Sequence, residues 1–191
     1  YTLPMKRQFL PDDLKLLVSR SLETLGRAVK AEYGLKTFNR VEGLRKSMKT
    51  LRRSTPEKLF NQLVKEKSKF EKMSTQDLEE IALSSTFLLE LTNRCENAYR
   101  SYQLSKKEKI VFKKRPYNII MVLTAHPTEA RSPQILEIFS AIQDLLIRSL
   151  VEDQDFEDEL YHLLMIGLKV SLARRKRPTV MDEAQNIYSY I

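Results

Sequence analysis

Glycine, histidine, cysteine and tryptophan are scarce in this sequence of 191 residues, which has four glycines, two histidines, one cysteine and no tryptophan. So few glycines argue against an all-β fold with many tight turns, and they favour long helices. A single cysteine, Cys95, excludes a disulfide within the chain and indicates a reducing compartment, so we expect a cytoplasmic protein. Because a zinc site takes about four ligands, these few residues predict no metal site in the chain.

Long apolar runs are also missing. No run approaches the ~20 residues that span a bilayer, and the first residues lack the apolar centre of a signal peptide, so we expect no membrane association. The chain begins at Tyr1 instead of methionine, which indicates a fragment or a processed product. Hydrophobic residues at 42% and charged residues at 30% are typical of a globular protein.

The net charge of +8 would suit a polyanion or a phosphorylated small molecule. Basic residues cluster at 106–115 and 169–177, and an acidic block at 152–159 lies between them. Neither basic block alternates with aromatic residues, which argues against nucleic-acid binding by base stacking. Solvated helix ends and linkers are the simplest interpretation. A nucleic-acid-binding helical domain stays open, and it would bind with a steep salt dependence.

Apolar residues recur at helical spacing over most of the chain, which predicts a mainly α protein of amphipathic helices. The first helix is expected to begin at Asp12 and to stop at Gly34. A second is expected to carry Phe38, Val41, Leu44, Met48 and Leu51. Three further helices have start signals at Thr55-Pro56, Ser74 and Ser132-Pro133. Another should follow the acidic block and run to Arg177-Pro178, where the proline breaks it.

One segment departs from the helical pattern. Residues 118–124 are few, nearly all apolar and rich in β-branched side chains, which is typical of a strand buried on both faces. We therefore predict one buried strand at 119–124. A single strand cannot satisfy its backbone alone, so it either pairs with other parts of a longer protein or is helical or extended in this chain. The chain then divides into an N-terminal helical region at 1–104, a basic linker at 105–117, and a region at 118–191 that holds the strand and the helices after it.

The candidate chemistry follows the predicted strand, in the run VLTAHPTEA at 122–130. Ligands bind beyond the carboxyl ends of parallel strands, where His126 would emerge. The next helix would offer free N–H groups to an anion near Ser132, and Arg131 would add a positive charge. An imidazole beside a cation could bind a phosphate or carboxylate and move a proton. The alternative is a histidine that merely ends the strand.

This run resembles the histidine motif of phosphoenolpyruvate carboxylase. Three other stretches, at 25–45, 82–100 and 174–184, are similar to the same family and occur in the family's order. The resemblance covers nearly the whole chain but only the N-terminal part of the family, and it indicates a divergent enzyme of the bacterial type.

The resemblance implies a carbon–carbon lyase that fixes carbon dioxide. Such an enzyme joins phosphoenolpyruvate to bicarbonate and gives phosphate and oxaloacetate, a compound of the tricarboxylic acid cycle. It implies a parallel α/β barrel to which the strand at 119–124 would belong, a catalytic His126, a substrate-binding Arg131 and a homo-oligomer. Mg²⁺ would be the cofactor, with ligands beyond Ile191, so we expect the fragment alone to be inactive.

The sequence also departs from the family. Ser132 and Pro133 stand where two adjacent arginines usually follow the motif, Leu168 stands in place of a tryptophan, and Val170-Ser171-Leu172 stands in place of Thr-Asp-Glu. The changes at 132–133 and 170–172 slightly favour a second hypothesis, a non-catalytic helical scaffold or regulatory domain of a divergent family member. The intact run His126–Glu129 favours the enzyme.

Overall fold

A computed structural model describes residues 11–51, 54–106, 131–173 and 179–181. Within these ranges the helices are α1 (Asp12–Leu51), α2 (Pro56–Phe70), α3 (Thr75–Ser105), α4 (Pro133–Glu152) and α5 (Glu157–Gly167). The prediction of a mainly α protein is therefore confirmed. None of the helices in this part of the chain is long and apolar enough to cross a membrane.

The prediction that a buried strand accompanies these helices is wrong. The described residues contain no strand and no sheet, and their β pairing is an isolated bridge between Arg131 and Ala173. A buried strand needs neighbours for its backbone N–H and C=O groups, whereas a helix satisfies these groups internally. The helical bundle thus offers the predicted strand nothing to pair with. Residues 119–124 themselves, like the linker at 107–117, lie outside the described ranges.

Local capping chemistry fixes where three helices begin, at the positions that the sequence predicts. The Oγ of Ser74 accepts a hydrogen bond from the N–H of Asp77 at 3.1 Å, and Ser132 does the same for Ile135 at 3.4 Å. Thr55 precedes Pro56 at the start of α2 but makes no side-chain cap. Proline suits that first position because its missing N–H would have no helical partner there.

Gly34 ends the first of the two helical arms that make up α1, as the sequence predicts. Its φ of 82° and ψ of 174° are non-helical, and helical geometry resumes directly after it. Residues with a side chain rarely adopt this conformation, so glycine provides the bend at little steric cost. Both arms of α1 then run antiparallel to α3. Ser21 meets Cys95 in one arm, and Thr37 donates to Glu80 at 2.7 Å in the other.

Four helices form a closed ring around the core. α1 packs on α3, α3 on α4, α4 on α5, and α5 returns to α1. Each contributes one apolar face, as its helical spacing predicts. The core includes Leu14, Leu17, Leu25, Ala28, Val29, Leu83, Phe87, Leu91, Cys95, Ala98, Ile135, Ile138, Phe139, Ile142, Leu145, Leu146, Phe156, Leu160, Leu164 and Leu168. α2 lies apart from this cluster and exposes Phe60, Leu63 and Val64.

Gly167 packs directly against Phe87 where α5 ends, well before the predicted break at Arg177-Pro178. A Cβ added there would overlap the ring of Phe87, approaching its Cε1 to 2.9 Å. Because Phe87 is fully buried, its ring has little room to move away.

We expect Gly167→Ala to lower the free energy of unfolding by about 1–3 kcal/mol. Gly43→Ala is the matched control, since Gly43 has open space around it. It should stabilise helix α1 by up to about 1 kcal/mol. Equal urea midpoints for the two variants would contradict the packing at Gly167.

An ion pair closes the ring at its other end, where Arg20 of α1 donates to Glu157 of α5 at 2.6 Å. Hydrogen bonding from Arg20 holds the pKa of Glu157 below its usual value near 4.5, against a smaller opposing effect of burial. The stabilisation is therefore present above pH 4.5 and is lost as the pH falls through the lowered pKa. We expect the Glu157→Gln variant to lose less thermal stability than the original chain when the pH falls below that value. Glu79→Gln, at an exposed position of α3, should leave the acid profile unchanged, and a similar change in both variants would refute this assignment.

Candidate active site

Arg131, Ser132 and Pro133, at the start of α4, are the described part of the candidate site. Ser132 is 6% exposed and caps the helix, and its Oγ also donates to the carbonyl of Ser171 at 2.7 Å. Pro133 occupies the first turn of the helix. The two positions at which the family usually has adjacent arginines therefore serve here to start and anchor a helix.

Arg131 makes an ion pair with α3. Its Nη1 donates to the Oε1 of Glu90 at 2.8 Å, and the Oε2 of Glu90 lies 3.8 Å from the Nη2 of Arg94. The side chains of Arg131 and Glu90 are 32% and 23% exposed, so water screens this pair less than a fully exposed one. The guanidinium of Arg94 lies 5.9 Å from the ring centre of the buried Phe139, which joins the ion pair to the core.

The backbone before α4 is joined to the segment that follows α5. Arg131 forms an antiparallel bridge with Ala173, and the N–H of Ser132 donates to the carbonyl of Leu172 at 3.0 Å. In sequence, the histidine motif comes directly before this bridge and the basic run 174–177 comes directly after it. The fold therefore brings together the attachment points of two stretches that resemble the carboxylase family.

His126 lies outside the described residues, as does the run 174–178. Its catalytic role and the substrate-binding role of Arg131 therefore stay predictions. The described geometry places a positive side chain beside the N-terminus of α4, an arrangement that attracts anions. Since Glu90 already accepts a hydrogen bond from Arg131, this cation is held in place by a carboxylate on a neighbouring helix.

The magnesium ion implied by the resemblance would need several oxygen ligands. Within the described ranges, no group of three or more histidine, cysteine, aspartate or glutamate side chains could hold a metal ion. These residues do not fit the ion and give it no role.

Two other titratable groups belong to the packing. Burial raises the pKa of Cys95 to about 11, and its thiol lies 3.3 Å from the Oγ of Ser21. Burial also raises the pKa of Tyr33 to about 12, and its hydroxyl donates to the carbonyl of Leu168. Both groups stay protonated near neutral pH, so neither is suited to act as a nucleophile or base there.

A cavity of about 840 Å³ lies along α1, between its two arms, α3 and the start of α5. Its lining carries both signs of charge, including Arg27, Lys30, Glu23 and Glu42, and it contains no histidine or cysteine. The bend at Gly34 brings the two arms together, which sequence periodicity alone does not predict.

Sequence analysis did not single out Glu90. It is one of several acidic residues of α3 and lies within the family-like stretch 82–100, which gives it no role of its own. Folding alone brings it within 2.8 Å of Arg131, a residue separated from it by 41 positions in the sequence. No signal in a single sequence would have identified this pair.

Comparison with known proteins points to one family. The family model of phosphoenolpyruvate carboxylase matches residues 106–191, a range that contains His126 and Arg131. A phosphoenolpyruvate carboxylase of Pseudomonas fluorescens is 23% identical over 85% of the chain, and those of two Pseudomonas putida strains are 24% and 25% identical over the same share.

The chain spans about a fifth, 21%, of the length of these relatives. No solved structure matches the chain. The resemblance predicted from the histidine motif is confirmed by two independent comparisons. The chain is therefore similar to phosphoenolpyruvate carboxylase, in a way that is consistent with a divergent N-terminal fragment of that enzyme.

Proposed function

We propose that the protein carrying this chain joins phosphoenolpyruvate to bicarbonate to form oxaloacetate and phosphate. The observation that carries this proposal is the family match over 106–191, which includes the intact run His126–Glu129. The finer features of the proposal are a carbon–carbon lyase of the cytoplasm that supplies the tricarboxylic acid cycle, a homo-oligomer, and a Mg²⁺ cofactor bound outside this chain.

In the proposed reaction, bicarbonate takes the phosphoryl group of phosphoenolpyruvate, which gives carboxyphosphate and the enolate of pyruvate. Loss of a proton then lets carboxyphosphate break into carbon dioxide and phosphate, and the enolate carbon attacks the carbon dioxide. His126 is proposed to accept that proton and to help hold the carbon dioxide near the enolate. An ordinary imidazole has a pKa of ~6.5, so it can accept a proton near neutral pH.

A non-catalytic scaffold is the second candidate, and a specific observation supports it. Ser132 and Pro133 begin a helix at the place of the usual arginines, and Arg131 is held by Glu90. A family member that had lost its substrate contacts could keep these residues for their structural roles alone.

An assay of the protein that carries this chain separates the two candidates. Oxaloacetate would be followed through NADH loss with malate dehydrogenase, in the presence of phosphoenolpyruvate, bicarbonate and Mg²⁺. We expect formation that depends on bicarbonate, and we expect none from the 191 residues alone. If the folded longer protein forms no oxaloacetate, the scaffold replaces the enzyme as the better conclusion.

A further inference from the structure

We propose that the outer face of α2 is a self-association surface, on which a second copy of this chain docks its own α2 in the antiparallel direction. The two copies are related by a two-fold axis, so each contributes the same residues to the interface. The inference concerns assembly alone and does not depend on the proposed carboxylase reaction.

Large apolar side chains of α2 are exposed to water. Phe60 is 66% exposed, Val64 47% and Leu63 44%. The apolar surface continues into a cleft of about 420 Å³ beside α2, where Met48 of α1 and Leu78 of α3 contribute to the lining. A single exposed apolar residue is ordinary, whereas a continuous apolar patch marks an interaction surface.

Within the described ranges this face is open because α2 turns its other side towards α1. Glu66 is buried on that side, where it accepts hydrogen bonds from Gln62 at 2.9 Å and from Lys69 at 3.0 Å. At 3.6 residues per turn, Val64 lies about 160° around the helix from Glu66. One side of α2 therefore belongs to the bundle, and the apolar side is left for a partner.

The exposed face has the spacing of a seam between two helices. Glu57, Phe60, Val64 and Lys67 follow one another at intervals of three, four and three residues. At this spacing the side chains of one helix fit between those of a second helix. The stripe has apolar residues at its centre, a negative charge at one end and a positive charge at the other.

A second copy of α2 matches this stripe in one antiparallel register. When the midpoints of the two stripes lie on the two-fold axis, Phe60 faces Val64 of the other copy and Glu57 faces Lys67. Leu63 is one residue from the midpoint, so its two copies meet near the axis. A parallel pair would instead bring like charges together at both ends, which is unfavourable.

The charges at both ends are accessible to a second copy. Glu57 is exposed, and Lys67 is 76% exposed with a contact of 3.6 Å to Glu71. An ion pair this exposed contributes little, so Lys67 can exchange it for Glu57 of the other copy at little cost. The partner of this face must present an apolar centre between charges in the reverse order, and a second α2 does so.

Sedimentation equilibrium of this chain tests the proposal. Because the stripe spans only about three helical turns, we expect a weak dimer that dissociates on dilution. The average mass should rise from 22.4 kDa towards twice that value with increasing protein concentration, and association should weaken as salt screens the end charges. A chain that stays monomeric at every concentration overturns the inference and leaves the face to another part of a longer protein.

Phe60→Asp is the variant with the largest expected effect on association. It places a charge at the centre of the seam in both copies, so we expect the dissociation constant to rise by at least about 100-fold. Leu89→Asp is the matched control, since Leu89 of α3 is 60% exposed and lies outside the patch. Equal association of the two variants contradicts the proposed surface.

Reversal of the end charges tests the antiparallel register. Glu57→Lys and Lys67→Glu each put like charges at both ends of the seam, so each should raise the dissociation constant by about 10-fold. An equal mixture of the two variants should recover the original affinity, because both contacts between them again join unlike charges. Circular dichroism checks that each variant keeps its helix content. Weakened self-association without recovery in the mixture overturns the interface.

Discussion

Phe139→Ala is expected to lower the free energy of unfolding by about 3–5 kcal/mol, the usual loss for a large buried aromatic side chain. Phe139 of α4 is 0% exposed and lies against Phe87 of α3, with ring centres 5.0 Å apart and planes tilted by 54°. The substitution removes apolar contact area and leaves a cavity that the surrounding helices can fill only in part. It also removes the ring that faces the guanidinium of Arg94.

Urea unfolding followed by circular dichroism measures this loss, and Phe60→Ala is the matched control. Phe60 lies on α2 with 66% of its surface exposed, so the same truncation there should change the free energy by less than about 0.5 kcal/mol. A loss of 3–5 kcal/mol is a large part of the ~5–15 kcal/mol that stabilises an ordinary domain. If the two variants unfold at similar urea concentrations, Phe139 is not at the centre of the core.

His126→Asn in the protein that carries this chain is expected to reduce oxaloacetate turnover by about 100- to 10,000-fold, the usual contribution of a positioned proton acceptor. Asparagine keeps similar size and polarity but has no group that accepts a proton near neutral pH. The loss should therefore appear in kcat, with little change in thermal stability.

The second histidine of the chain is the natural control for this substitution. His162 lies at an exposed position of α5, and His162→Asn should leave both turnover and stability unchanged. An active His126→Asn enzyme would return His126 to the simpler interpretation of a residue without catalytic function. Loss of activity in both variants would show that the measurement does not isolate the proposed proton transfer.

Helix starts could be predicted from the sequence because their chemistry is local. A serine three residues before an N–H that it can cap, as Ser74 is before Asp77, is visible in any single sequence. The end of α5 was not predictable in this way. α5 ends at Gly167, which lies beside Phe87 from a different part of the chain, and that contact exists only in the folded protein.

The predicted strand failed for a related reason. A short apolar run suits a buried strand or a buried helical segment equally well, and partners in space decide between them. At the site, the motif around His126 could be recognised because its residues are contiguous. The pairing of Arg131 with Glu90 could not, since their approach depends on how α3 and α4 pack.

The closed ring of helices has a consequence for the time course of synthesis. Arg20 of α1 and its partner Glu157 of α5 are 137 residues apart, so the first helix cannot reach its last neighbour until nearly all of the intervening chain has been made. At ~5–20 residues per second on the ribosome, that wait is about 7–27 s. During this interval α5 cannot cover the face of α1 that it later meets, and apolar surface exposed in this way is prone to aggregation.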